Sequence, residues 1–85
     1  MHEQLRRRLV NARKKAGLTQ VELADRLTRP QSFVSKVERG ERRLDVVEFF
    51  EVAEAIGFDP FAFLRALRKG MVRISGHHLE ADLRK

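Results

Sequence analysis

The sequence predicts an all-α fold of five helices, and three observations carry that prediction. Apolar residues recur at three- and four-residue intervals along most of the chain. Helix-start and helix-stop signals alternate at short range, with Gly17, the Thr28-Arg29-Pro30 break, Gly40 and Gly57 punctuating the pattern. A chain of 85 residues can bury only a small core, and packed helices are the most economical way to build one.

Composition narrows the function. There is no cysteine, so neither a disulfide framework nor a thiolate metal site is available. The absence of a membrane-length apolar run and of a signal-peptide pattern sets the expectation of a soluble cytoplasmic protein. The net charge of +6 is unevenly spread: twelve Lys or Arg against five acids through Arg43, then three against five from Leu44 to Lys69. A basic half beside a mildly acidic one suits a protein with one face on phosphates, although a solvated basic surface has the same composition.

The first helix is expected over 3–16, with Leu5, Leu9, Ala12 and Ala16 on one face and Gly17 as its stop. Arg6, Arg7 and Arg8 read as solvated, whereas Arg13 lies on or beside the buried stripe. Thr19 and Glu22 form a capping box that opens the second helix, which buries Leu23, Ala24 and Leu27. Pro30 disfavours helix at Arg29 and is well tolerated at the start of the third helix, Gln31 to Glu38. That helix buries Val34 and Val37 and offers Gln31, Ser32, Ser35 and Lys36 on its other side. Two helices so closely linked must cross steeply, and Ala24 is small enough for the second to pass close. A helix presented in this way fits the major groove of DNA, leading with its N-terminal side chains.

Asp45 and Glu48 form a second capping box, opening a helix whose inward stripe is Val46, Phe49, Val52, Ala53 and Ile56. Glu48, Glu51 and Glu54 read as a solvated outer face. Gly57 ends this helix, and Asp59-Pro60 starts the fifth, with Phe63, Leu64 and Leu67 inward and Gly70 as its stop. Beyond it, Met71 to Ser75 alternates weakly like an added strand, and His77 to Lys85 has the spacing of a short helix. The division is thus a helix-turn-helix domain over 1–69 and an extension over 70–85, either dimer-forming or loose. His77, His78, Glu80 and Asp82 make a poor metal set because adjacent histidines point apart, so neither metal nor cofactor is expected.

Arg13, Gly17-Leu18-Thr19-Gln20, Glu22-Leu23-Ala24, Leu27, Gln31-Ser32, Val34-Ser35, Val37-Glu38 and Gly40 together resemble the Xre or Cro–CI-type helix-turn-helix family, that of the lambdoid phage repressors. The resemblance runs from about Leu5 to about Leu67 and implies a lambda-repressor-like five-helix DNA-binding domain. It implies an ion pair between Arg13 and Glu38 and a phosphate contact at Gln20. Many members have glycine at the position of Thr28 and an apolar residue at that of Arg29, so a reshaped turn is expected here. Members commonly dimerise about a two-fold axis around the end of helix four and the start of helix five.

Chemistry fills in the rest. Gln31 can bond bidentately to adenine, Ser32 can reach a base or a phosphate, and Lys36 suits guanine or phosphate. Ser35 is short enough for close approach to the backbone. Arg42 and Arg43 carry forks suited to phosphates, and Arg39 less so by position. Phe33 either packs on a thymine methyl or folds back over the turn. Five of the six phenylalanines fall between 49 and 63. That is more apolar surface than one small core needs, which marks Phe50, Phe58 and Phe61 as dimer-interface candidates.

The function expected is a homodimeric, sequence-specific transcription regulator, most often a repressor, bound to a palindrome in double-stranded DNA. The alternative is an antitoxin-like module that holds a toxin or another regulator and uses its DNA binding for autoregulation. With no thiol, phosphate loop or convergent acid–base pair, an enzyme is not expected.

Overall fold

The computed structural model describes the backbone of residues 2–75 and the side-chain surroundings of residues 2–70. Five helices follow one another: α1 His2–Lys15, α2 Gln20–Leu27, α3 Gln31–Glu38, α4 Val46–Ile56 and α5 Pro60–Ser75. No strand occurs among the described residues.

Both capping boxes are formed. Thr19 accepts from the Glu22 N–H while Glu22 accepts from the Thr19 N–H, and Asp45 and Glu48 make the same exchange at α4. The core gathers Leu9 from α1, Leu18 from the first loop, Leu23 and Ala24 from α2, Phe33 and Val34 from α3, and Phe49, Val52 and Ile56 from α4. Leu67 anchors α5, and Ala24 is only 2% exposed, which lets α2 and α3 pack closely.

The link between α2 and α3 keeps a left-handed turn despite its sequence. Thr28 takes φ 58° and ψ 44°, and its N–H and that of Arg29 close on the carbonyls of Asp25 and Ala24. This is the pairing of a Schellman motif, which satisfies the last carbonyls of α2. A β-branched residue is disfavoured in that conformation, so the cooperative hydrogen bonding of the turn overrides the local preference. The reshaping expected from Thr28 does not occur. Pro30 precedes the first helical residue of α3 and serves as its N-cap rather than as its first turn.

Five expectations need correcting. Helix α5 passes through Gly70 to Ser75, so Gly70 is not its stop and residues 71–75 are helical rather than a strand. Val46 is 71% exposed because the first turn of α4 turns Glu48 and Phe49 inward instead, and Leu64 is 39% exposed because it lies off the Phe63–Leu67 line. Glu48 is not part of a solvated face: it is buried at 8% exposure. The short helix expected over 77–85 and the weak metal set there lie outside the described residues.

Candidate nucleic-acid interface

Helix α3 presents Gln31, Ser32 and Lys36 as exposed side chains, with Ser35 half-buried beside them and its hydroxyl 3.4 Å from the Ser32 carbonyl. No side chain caps its N-terminus. The outward face is therefore polar and unencumbered at the end that would enter a groove.

A chain of polar contacts fixes how that face is held. The Arg13 guanidinium grips the Glu38 carboxylate with two bonds, Nε to Oε2 at 2.6 Å and Nη2 to Oε1 at 3.0 Å. Its third donor, Nη1, reaches the Leu18 carbonyl at 2.7 Å. Both partners are largely buried, with side-chain exposures of 10% and 12%. The Gln20 amide donates to Glu38 Oε1 at 2.8 Å, and its own oxygen lies 3.4 Å from the Gln31 amide nitrogen. One carboxylate thus ties α1 and α2 to the C-terminal end of α3, and Gln20 carries the chain on to Gln31 at its start. The Gln20 amide is thereby oriented on one side by Glu38. Arg6, read from sequence as solvated, donates to the Glu38 carbonyl at 2.9 Å and closes the C-terminus of α3. A cation there also complements the helix dipole.

A second network holds the other side. The Phe33 ring is buried and meets two guanidiniums, with Arg29 4.4 Å and Arg42 4.7 Å from its centroid. Of the two roles open to it, Phe33 takes the inward one. Its partners are fixed in turn by Glu48: Arg42 makes a two-bond fork at 2.9 Å each, and Arg29 approaches at 3.4 Å. Arg42 also donates to the Arg43 carbonyl at 3.0 Å. It therefore braces the loop after α3, while the Arg43 side chain is exposed. Arg39 pairs with Glu41 at the surface.

The Arg42 fork, with help from the Asp45 N–H, holds the Glu48 carboxyl down from an ordinary value of 4.5 to about 2, against the opposing effect of burial. A depressed carboxylate contributes stability above its unfolded pKa and loses it as the proton binds. Stability from Glu48 is therefore expected to fade as pH falls from about 5 towards 2. Thermal melts across that range should show a flatter pH dependence for Glu48→Gln than for the parent chain.

Sequence reasoning missed Glu48, Arg29 and Arg6 as structural members of this site. Glu48 carried a signal, its place in the capping box, but that explains only half of its bonding. Arg29 and Arg6 act across 19 and 32 positions of sequence respectively, beyond any local pattern. Among the described residues no group of three or more His, Cys, Asp or Glu side chains is placed to hold a metal ion. No described helix is long and apolar enough to cross a membrane.

Taken with the two short helices and the polar outward face, this frame defines a helix-turn-helix domain. The sequence model of the helix-turn-helix family matches residues 9–63. The solved structure of an XRE-family like protein from Pseudomonas syringae pv. tomato str. DC3000 is 54% identical, with a TM-score of 0.78 over 80% of this chain and 83% of that one. No curated protein matches. The chain belongs to the XRE-type helix-turn-helix family of DNA-binding transcription regulators.

Proposed function

We propose that this chain is a homodimeric operator-binding regulator, acting as a repressor, that reads a palindrome through the N-terminal half of α3. The observation that carries the reading is the line from buried Arg13 through Glu38 and Gln20 to exposed Gln31. A side chain held this way enters the groove with its orientation already set, so less freedom is lost on binding. In this reading Gln31, Ser32 and Lys36 meet base edges, and Gln20, Ser35 and Arg43 meet phosphates. Arg42, with its fork on Glu48, serves chiefly to stiffen the loop that carries Arg43. The division into a DNA-binding body over 1–69 and an extension is part of the proposal, with α5 continuous across the boundary. The exposed Phe50 and Phe61 rings, 5.7 Å apart and bordered by half-buried Phe58, support a two-fold interface near the end of α4 and the start of α5. A two-fold axis places two reading helices about 34 Å apart, one turn of DNA.

Two substitutions separate the roles. Gln31→Ala is expected to cost about 1–3 kcal/mol on the preferred duplex and to relax preference at one base position. Arg43→Ala should weaken all duplexes alike and flatten the dependence of affinity on salt by about one phosphate. Fluorescence-anisotropy titrations on matched and scrambled duplexes at several salt concentrations check both. Identical behaviour of the two variants would contradict the assignment.

A further inference from the structure

Helices α4 and α5 carry the same pattern on the side away from the core. On α4 the pattern is Val47, Phe50, Glu51 and Glu54, and on α5 it is Phe61, Leu64, Arg65 and Arg68. Both follow i, i+3, i+4, i+7 spacing, which is one helix face. Both are exposed throughout, with Val47 at 67%, Phe50 at 38%, Phe61 at 60% and Leu64 at 39%. Each begins with two apolar residues and ends with two charges, acidic on α4 and basic on α5. The stripes join where Phe50 meets Phe61, their ring centroids 5.7 Å apart. Among the described residues no ion pair connects the two stripes within one chain; of the stripe's two acids, Glu51 lies 3.8 Å from Arg29 in the helix-turn-helix link.

We propose that the partner of this surface is a second copy of the chain, seated so that the α4 stripe of each protomer lies on the α5 stripe of the other. This rests on the homodimer reading above and adds its register and its specificity. The two apolar pairs then cover one another, and Glu51 and Glu54 of each protomer face Arg65 and Arg68 of the other. A two-fold axis makes the contact twice, so four acids meet four bases around a shared aromatic centre. The depression beside Phe50, lined by Val47, Phe58 and Pro60, supplies a seat for the partner's Phe61 or Leu64. Charges at the rim of an apolar patch select the partner and reject others, because like charges brought together there are costly. An acidic stripe and a basic stripe on one chain match another copy in this register and mismatch it when α4 meets α4.

The test is a pair of charge reversals read by sedimentation equilibrium. Glu51→Arg/Glu54→Arg leaves both stripes basic, and Arg65→Glu/Arg68→Glu leaves both acidic. Each variant alone is expected to dimerise at least about tenfold more weakly than the parent chain. An equimolar mixture is expected to form a heterodimer of near-parental affinity, because each basic stripe then meets an acidic one. That recovery also shows that both variants are folded. The single changes Glu54→Arg and Arg68→Glu avoid the Arg29 contact and carry the same test if either double variant fails to fold. A parent chain that stays monomeric, free and on DNA, would overturn the homodimer reading itself. A dimeric parent whose variants dimerise unchanged, or whose folded variants do not recover on mixing, would overturn the charge register and leave the dimer standing.

Discussion

Glu38→Ala is expected to lower the free energy of unfolding by about 3–5 kcal/mol, the cost of leaving a buried guanidinium without its partner. The Arg13 fork has 10% side-chain exposure and spends two of its three hydrogen bonds on this carboxylate, so water cannot readily replace it. Small domains hold only about 5–15 kcal/mol in total, so the variant should melt at a much lower temperature. The loss extends beyond stability, because Gln20 donates to the same carboxylate and lies beside Gln31. An apolar pair of similar size, Arg13→Met with Glu38→Leu, should recover most of the stability, since buried ion pairs bring little net gain over well-packed hydrophobic groups. Its DNA affinity should stay reduced, because Gln20 has lost its acceptor. Calorimetric melts and anisotropy titrations on the same three proteins check this separation. Full recovery of both properties would mean that the network stabilises the fold without orienting the reader.

Phe33→Ala is the second large effect, also expected at about 3–5 kcal/mol. The ring is 9% exposed and belongs to the core, so truncation leaves a cavity at the junction of α2, α3 and the following loop. It also removes the surface on which the Arg29 and Arg42 guanidiniums lie, contacts that contribute further when partly desolvated. Phe33→Leu keeps most of the apolar volume and should recover most of the loss in denaturant unfolding. With the ring gone, Glu48 still holds Arg42 at 2.9 Å, so the loop should loosen before it detaches. The variant should therefore be weaker on all duplexes rather than altered at one base. A base-specific change instead would point to Phe33 touching DNA.

The sequence made the helices readable because their signals are local. Thr19 with Glu22 and Asp45 with Glu48 each act over three positions, and Leu23, Ala24 and Leu27 mark a face within one helix. Pairing Arg13 with Glu38 needed the family resemblance, since 25 positions separate them and only the fold brings them together. The Phe33 cluster escaped for the same reason: Arg29, Arg42 and Glu48 converge from the turn, the next loop and α4. Thr28 misled because residue preference argued against the left-handed turn while the hydrogen bonds of the motif required it. Gly70 misled because a glycine inside a helix costs only about 1 kcal/mol relative to alanine, which continued helix formation can absorb.

In the function proposed above, the exposed N-terminal face of α3 reads base sequence twice, across a two-fold axis. Selection of random duplexes on the purified protein at moderate salt, followed by sequencing of those retained, checks this without any assumed operator. A palindrome whose half-sites lie about one helical turn apart is the expected product. Retention of duplexes with no shared sequence, released uniformly as salt is raised, would contradict it.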